Sequence, residues 1–189
     1  MKKILLVIDC QYSFLDGGEL EVKGSTNIME NLMEYIKKHG KDYELVIATC
    51  DWHPITHCSF KENGGTWPMH CLQYSHGAAI YNPLLLTLNE HTNNFITLTK
   101  GLDEDHEEYS IFKNKNSCDK ITNIIQKLNI DEIDVCGIAY DVCVMDSVKD
   151  GLIEYPNVKF NVLKKFCPSI GNGKEFDNFL KNSERTTIK

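Results

Sequence analysis

The stretch Ile133–Val148, which reads IDVCGIAYDVCVMDSV, decides the fold of this chain. Its first half, residues 133–139, is a short apolar run of the kind that forms a buried parallel strand. Its second half has apolar residues at positions 144 and 148, and Leu152 just beyond it continues the spacing of a helix. Cys143 therefore falls at a helix start, just beyond the carboxyl end of a strand. Free N–H groups and the helix dipole favour a thiolate there, which is typical of a nucleophilic cysteine. The alternative is a buried structural cysteine.

Further apolar runs and helical patterns surround this stretch and predict the rest of the fold. Buried strands are predicted for residues 3–9, 45–49 and 95–99, and an alternating run predicts an edge strand at 158–163. We expect Ser25 and Ser117 to cap two amphipathic helices, and a third helix is predicted for residues 174–180. Strands that alternate with helices imply α/β architecture: a mostly parallel sheet flanked by helices on both faces, in three Rossmann-like layers. Residues 1–189 are predicted to form a single domain.

The composition argues against several classes of protein. A net charge of −7 gives no basic surface for nucleic acid or anionic lipid. The apolar run at the N-terminus ends at Asp9, too soon for a signal peptide or a membrane span. Eight cysteines without a C-x-x-C pair indicate reduced thiols rather than a disulfide framework. We therefore expect a soluble, cytoplasmic protein with no nucleic-acid or membrane partner, and a homo-oligomer is left open.

Polar side chains follow four of the predicted strands: Asp9, Asp51, Lys100 and Cys143. In open α/β sheets, ligands bind beyond the carboxyl ends of the strands, so these side chains are expected to converge. An acid, a lysine and a cysteine at neighbouring strand ends would supply a nucleophile, its base and a charge partner. Each residue alone is unremarkable, because a strand commonly ends at a polar residue.

A second group of polar residues fits a metal site. Asp51 and His53 are two residues apart and project to the same side of an extended segment. A long loop without sustained periodicity, residues 54–83, returns His70 as a third ligand. Two imidazoles and one carboxylate suit zinc, iron or manganese, with positions left for water or substrate. The alternative is a set of surface histidines on a polar loop.

These residues belong to a longer series of motifs. With them, the chain resembles the nicotinamidase branch of the isochorismatase-like cysteine hydrolases over roughly residues 1–163. The matching pieces, in order, are Asp9-x-Gln11-x-x-Phe14, Asp51–Trp52–His53–Pro54, His57-x-Ser59–Phe60, Trp67–Pro68-x-His70–Cys71, Gly77–Ala78, Lys100–Gly101 and Gly137-x-Ala139-x-Asp141-x-Cys143–Val144. The combination is specific, because it joins a cysteine triad to a metal-binding loop.

The resemblance implies a role for each matching residue. The implied catalytic triad is Asp9, Lys100 and Cys143, and the implied metal ligands are Asp51, His53 and His70. His57 is favoured as a fourth ligand, with Ser59 and Glu62 as alternatives. Phe14 and Trp67 are expected to hold a pyridine ring, and Tyr109 to help close the pocket. The Ile138–Ala139 bond is expected to be cis, and the N–H groups of Ala139 and Cys143 to form the oxyanion hole.

The resemblance also implies a reaction and a cofactor. The expected activity is hydrolysis of nicotinamide to nicotinate and ammonia through a thioester, in NAD salvage, with one divalent metal. Zinc is the first choice, and iron or manganese are alternatives. A related hydrolase acting on an N-carbamoyl or ureido amide is the alternative function. The chain departs from the family pattern at Tyr140, where threonine is usual, and after Leu163.

Overall fold

The computed structural model describes all 189 residues, Met1 to Lys189. Eleven helices and strands follow one another along the chain. They are β1 (Lys3–Ile8), α1 (Ser25–His39), β2 (Leu45–Asp51), α2 (Asn82–His91), β3 (Phe95–Lys100), α3 (Lys115–Leu128), β4 (Glu132–Gly137), α4 (Met145–Glu154), β5 (Lys159–Val162), α5 (Lys174–Lys181) and β6 (Thr186–Ile188). The α/β fold with a parallel sheet flanked by helices is therefore confirmed.

The six strands form one parallel sheet in the order β3-β2-β1-β4-β5-β6. The chain starts in the middle, builds outward to β3, and then crosses back to β4 on the other side of β1. Because crossovers between parallel strands are right-handed, this order places α1 and α2 on one face and the later helices on the other. The strand order reverses between β1 and β4, which is where doubly wound sheets bind their ligands.

Apolar side chains bury the central strands and set their register. Every residue of β2 is buried, and β1 is buried from Ile4 onward. The pairings Ile8↔Gly137 and Asp51↔Lys100 bring the carboxyl ends of these strands to one edge. Gly137 has φ +119° and approaches Ile8 so closely that a Cβ would lie 2.0 Å from the Ile8 carbonyl oxygen. Only glycine permits this contact, because both the φ value and the space exclude a side chain.

The turn after β4 differs from the simple helix start that the sequence suggests. Tyr140–Val144 forms a single π-helical turn, and α4 begins only at Met145. The Ile138–Ala139 bond is cis, as expected from the resemblance. Such π-turns are rare and are frequently found at functional sites.

Some local predictions are wrong. β5 is not an edge strand, because β6 pairs with it on the outer side. Asn114 rather than Ser117 caps α3: its side chain accepts a hydrogen bond from the Ser117 N–H group at 3.1 Å. The side chain of Ser25 caps no helix, since α1 starts after Gly24 without a side-chain cap. In addition, none of the helices has the length and apolar character needed to cross a lipid bilayer.

Candidate active site

Asp9, Lys100 and Cys143 meet beyond the carboxyl ends of β1, β3 and β4. The Lys100 Nζ atom lies 2.9 Å from Asp9 Oδ2 and 3.6 Å from Cys143 Sγ. It also forms an ion pair with Asp51, the last residue of β2. The lysine and Asp9 are completely buried, and Cys143 and Asp51 nearly so. The structure therefore brings together all four polar residues that follow the strands.

Hydrogen bonds from neighbouring strand ends fix this cluster. The Thr49 hydroxyl donates to Asp9 Oδ1 at 2.7 Å and orients that carboxylate. The buried side chain of Gln11 donates to the carbonyl oxygens of Asp51 and Ala78, both at 2.8 Å. Its own amide oxygen accepts from the Asp51 N–H group at 2.7 Å. Gln11 thus ties β1 to β2, a positioning role that its place in a motif could have suggested.

Burial and charge shift the pKa values of the cluster. Burial raises the pKa of Asp9, with Asp51 adding to the effect and Lys100 opposing it. Burial also raises the pKa of Cys143 well above its usual range, with Lys100 opposing the effect and Asp9 and Asp51 adding to it. Burial thus opposes the thiolate that the strand-to-helix pattern favours.

Lys100 remains charged in spite of its burial. Burial opposes its positive charge, but the carboxylates of Asp51 and Asp9 raise its pKa well above the usual range. With both aspartates ionised, one lysine leaves a net negative charge in a buried site. A cation bound beside Asp51 would offset that charge, because a buried charge is costly unless it is paired.

The ligand atoms of Asp51, His53 and His70 lie within 4.8 Å of one another, and all three residues are buried. The His53 Nδ1 atom lies 2.9 Å from the Gly101 carbonyl oxygen, and the His70 Nδ1 atom 2.8 Å from that of Pro68. These contacts assign the proton to Nδ1 in each ring, so both Nε2 atoms carry lone pairs. The His53 Nε2 atom is buried without a hydrogen-bond partner. An orphaned nitrogen beside a carboxylate fits a divalent metal ion.

The three fourth-ligand candidates occupy different places. The rings of His57 and His53 are 4.0 Å apart between centroids, but His57 lies outside the three-residue cluster. Its Nδ1 atom is 2.8 Å from the Ser59 hydroxyl oxygen. Burial, with the neighbouring His53, lowers the pKa of His57 to about 4, so its ring is neutral at pH 7. Ser59 is buried beside it, whereas Glu62 is exposed.

A cavity opens directly above Cys143. The space between its lining residues, counted together with the adjoining open solvent, is about 360 Å³. Phe14, Trp67 and Tyr109 line it as expected, and the Trp67 indole N–H donates to the Tyr109 hydroxyl at 2.9 Å. Further lining residues that the sequence did not single out are Leu20, Val22, Glu107, Val142 and Ile170. Val142 lies in the π-helical turn and the other four lie on loops without periodicity, so no local pattern marks them.

Backbone donors are present beside the sulfur. Ala139, which follows the cis bond, lines the cavity together with Cys143. Its carbonyl oxygen accepts hydrogen bonds from the N–H groups of Val142 and Val144, both at 3.1 Å, while its own N–H group donates to no other group of the chain. A free backbone N–H group beside a nucleophile is suited to bind a developing oxyanion.

Comparisons with known proteins agree with this geometry. The family model of the isochorismatase domain matches residues 3–158. The nicotinamidase of Escherichia coli strain K12 is 30% identical over 189 aligned residues, covering 89% of this chain and 84% of that protein. The crystal structure of a pyrazinamidase from Pyrococcus horikoshii in complex with zinc is 28% identical with a TM-score of 0.83, over 100% of this chain and 99% of its own. A structure of PnC1 from L. infantum in complex with nicotinate is 26% identical with a TM-score of 0.82, over 100% and 96%.

Proposed function

Because the chain belongs to the isochorismatase family, we propose that it is a nicotinamidase, which hydrolyses nicotinamide to nicotinate and ammonia and so serves NAD salvage. One observation carries the proposal. One cavity with aromatic walls is lined both by Cys143, whose sulfur lies beside the buried Lys100, and by Asp51 and His70 of the Asp-His-His cluster. An amide hydrolase that also holds a pyridine ring needs both groups in one place.

Aromatic side chains place the ring. Phe14 and Trp67 lie on the cavity wall, and the bond from Trp67 to Tyr109 fixes the indole plane. Flat apolar walls of this kind bury a pyridine ring and leave its polar atoms to a few directed contacts. Asp51, His53 and His70 would hold one divalent metal ion, zinc in our proposal, which when bound supplies a Lewis-acid contact for the ring nitrogen. His57, whose ring centroid is 4.0 Å from that of His53, is a further candidate ligand.

Asp9 acts as the base in the first half of the reaction. Three atoms lie within 4.8 Å of one another: a carboxylate oxygen of Asp9, one of Asp51 and the sulfur of Cys143. The thiol proton therefore has a short path to a carboxylate. A raised pKa suits Asp9 to accept this proton as the sulfur attacks the carboxamide carbon. Lys100 keeps Asp9 oriented and remains charged throughout.

The attack creates a tetrahedral oxyanion. The N–H groups of Ala139 and Cys143 are the donors that we assign to it, and losing one such donor typically raises a barrier by about 3 kcal/mol. Asp9 then returns its proton to the amine, ammonia leaves, and a thioester bond joins the nicotinoyl group to Cys143. A water molecule attacks this thioester while Asp9 removes its proton, which releases nicotinate and restores the thiol.

The alternative, an enzyme acting on an N-carbamoyl or ureido amide, would use the same triad. It leaves the orphaned Nε2 atom of His53 and the cluster around it without a role. No feature of the cavity favours it over a pyridine carboxamide.

We also propose the setting of the enzyme. Residues 1–189 form a single hydrolase domain in this proposal, since one sheet runs from the first strand to the last over one connected core. We assign the protein to the cytoplasm, because all eight cysteines are free thiols and six of them are buried.

The test of the proposed function is product analysis on the zinc-loaded protein. Ammonia and nicotinate should form in equal amounts from nicotinamide, and an N-carbamoyl amine should give no turnover under the same conditions. Turnover of the N-carbamoyl amine with no ammonia from nicotinamide would replace the proposal by its alternative.

A further inference from the structure

The segment Pro168–Gly173 lies against the turn that carries the nucleophile. The Tyr140 N–H group donates to the Pro168 carbonyl oxygen at 2.8 Å. The Asp141 carboxylate accepts the backbone N–H groups of Ile170 and Gly171, at 2.9 and 2.6 Å. A Cβ at residue 171 would lie 2.9 Å from this carboxylate and would push it away from its present position. Asp141 is two residues from Cys143, and it thereby fixes the segment relative to the sulfur.

Tyr140 holds the far end of the same segment. Its ring is buried against Phe176 of α5, with 4.8 Å between ring centroids, and its hydroxyl donates to Asp177 at 2.5 Å. Lys164 also bonds Asp177 and lies 4.9 Å above the tyrosine ring. A Cβ at Gly173 would come within 2.7 Å of that ring. Contacts therefore hold the segment Pro168–Gly173 at both ends. One of the residues that hold it is Tyr140, where the family usually has threonine.

Ile170 lies in the middle of this segment and lines the cavity. It lines the wall with Val142 and Ala139 and is still 48% exposed, so it stands at the mouth. The isochorismatase family model ends at residue 158, so this part of the wall comes from beyond the matched residues. A branched side chain on a fixed backbone has little freedom to move aside for a larger ligand.

We propose that Ile170 is a specificity-determining residue, which limits the substituents that the pocket accepts on the pyridine ring, and that Tyr140 and Asp141 position it. The proposal rests on the proposed nicotinamidase function. The ligand class is that of pyridine carboxamides, and those bearing an alkyl group directed toward the mouth meet Ile170 directly. A clash of one methyl group with a fixed wall changes kcat/KM by about tenfold or more.

The experiment compares wild type with Ile170→Ala and Ile170→Phe. The substrates are nicotinamide and its derivatives methylated in turn at each free ring carbon, and the readout is kcat/KM for each derivative relative to nicotinamide. Ile170→Ala should raise this ratio about tenfold for at least one derivative, and Ile170→Phe should lower it for the same derivative. Ile153→Ala, at an exposed isoleucine on α4 that is absent from the cavity wall, is the control and should leave the ratio unchanged.

Tyr140→Phe tests the positioning role. It removes the bond to Asp177 and keeps the ring packed on Phe176, so the ratio for that same derivative should shift in the direction of Ile170→Ala. A role in stability alone would lower the melting temperature and leave the ratio unchanged. Ratios within twofold of wild type for every derivative in all three variants would overturn the inference. Failure of the wild type to hydrolyse nicotinamide would instead overturn the proposed function.

Discussion

Replacing Lys100 by methionine should destabilise the protein strongly, because the lysine is the one cation between two buried carboxylates. The Nζ atom lies 2.9 Å from Asp9 Oδ2, and at an effective dielectric constant of 20 such a pair attracts by about 6 kcal/mol. Desolvation of both ions offsets part of this attraction. Removing one partner of a buried pair typically costs about 3–5 kcal/mol in the free energy of unfolding. The free energy of unfolding of a typical domain is only about 5–15 kcal/mol, so this loss is a large fraction of it.

The assay for this prediction is urea unfolding of metal-free protein at pH 7, followed by circular dichroism. The double variant Asp9→Asn/Lys100→Met removes one stranded carboxylate together with the lysine, so it should recover part of the lost stability. Lys37→Met is the matched control, because its partner Glu34 lies in solvent and the ion pair is exposed. A Lys100→Met variant as stable as Lys37→Met would refute the electrostatic account of the site. So would a double variant less stable than Lys100→Met alone.

Three further predictions concern the metal cluster and the segment that Asp141 holds. Benzamide, which lacks the ring nitrogen, should give a much lower kcat/KM than nicotinamide in the zinc-loaded enzyme, and equal values would remove the metal from substrate recognition. Gly101→Ala should weaken zinc binding about tenfold or more in a competitive chelator titration, because its Cβ would lie 2.3 Å from the His53 ring. Gly64 has a similar positive φ but open space around it, so Gly64→Ala should keep the wild-type affinity for zinc. Finally, burial raises the pKa of Asp141, but hydrogen bonds including those from Ile170 and Gly171 hold it below its usual value. A carboxyl group whose pKa is lower in the folded protein than in the unfolded chain, where it is about 3.9, stabilises the fold above that pH. This stability is lost as the pH falls through the pKa of the folded protein. Asp141→Asn should therefore lower the melting temperature at pH 7 and flatten its fall below pH 4, and a wild-type slope would contradict this.

The carboxyl edge of the sheet was predictable because parallel strands share it. Each apolar run ends at a polar residue, and the pairings Ile8↔Gly137 and Asp51↔Lys100 confirm that these ends lie side by side. The meeting of Asp9, Lys100 and Cys143, and the grouping of Asp51 with His53 and His70, follow from this geometric rule together with the motifs. By contrast, α2 was missed although Pro83 at its start and the buried pair Leu84 and Leu88 carry a helical pattern.

Other features depend on tertiary contacts that a sequence pattern does not encode. β6 has three residues, and its two last side chains are exposed, so no apolar run marks it. Its pairing with β5 is what makes the edge-strand prediction wrong. Ile170 reaches the cavity only because Asp141 and Tyr140 hold its segment. Burial and two nearby carboxylates likewise raise the pKa of Cys143. The strand-to-helix pattern alone does not reveal either of these surroundings.

The most direct test of the account is ammonia release from nicotinamide by Cys143→Ala, measured beside Cys118→Ala, which removes a thiol of α3 that is absent from the cavity wall. Both proteins are loaded with zinc, and bound metal is counted by elemental analysis. We expect equal metal content in the two, wild-type turnover in Cys118→Ala, and a rate below about one-thousandth of wild type in Cys143→Ala. Comparable turnover in both variants would mean that the sulfur of Cys143 is not the nucleophile.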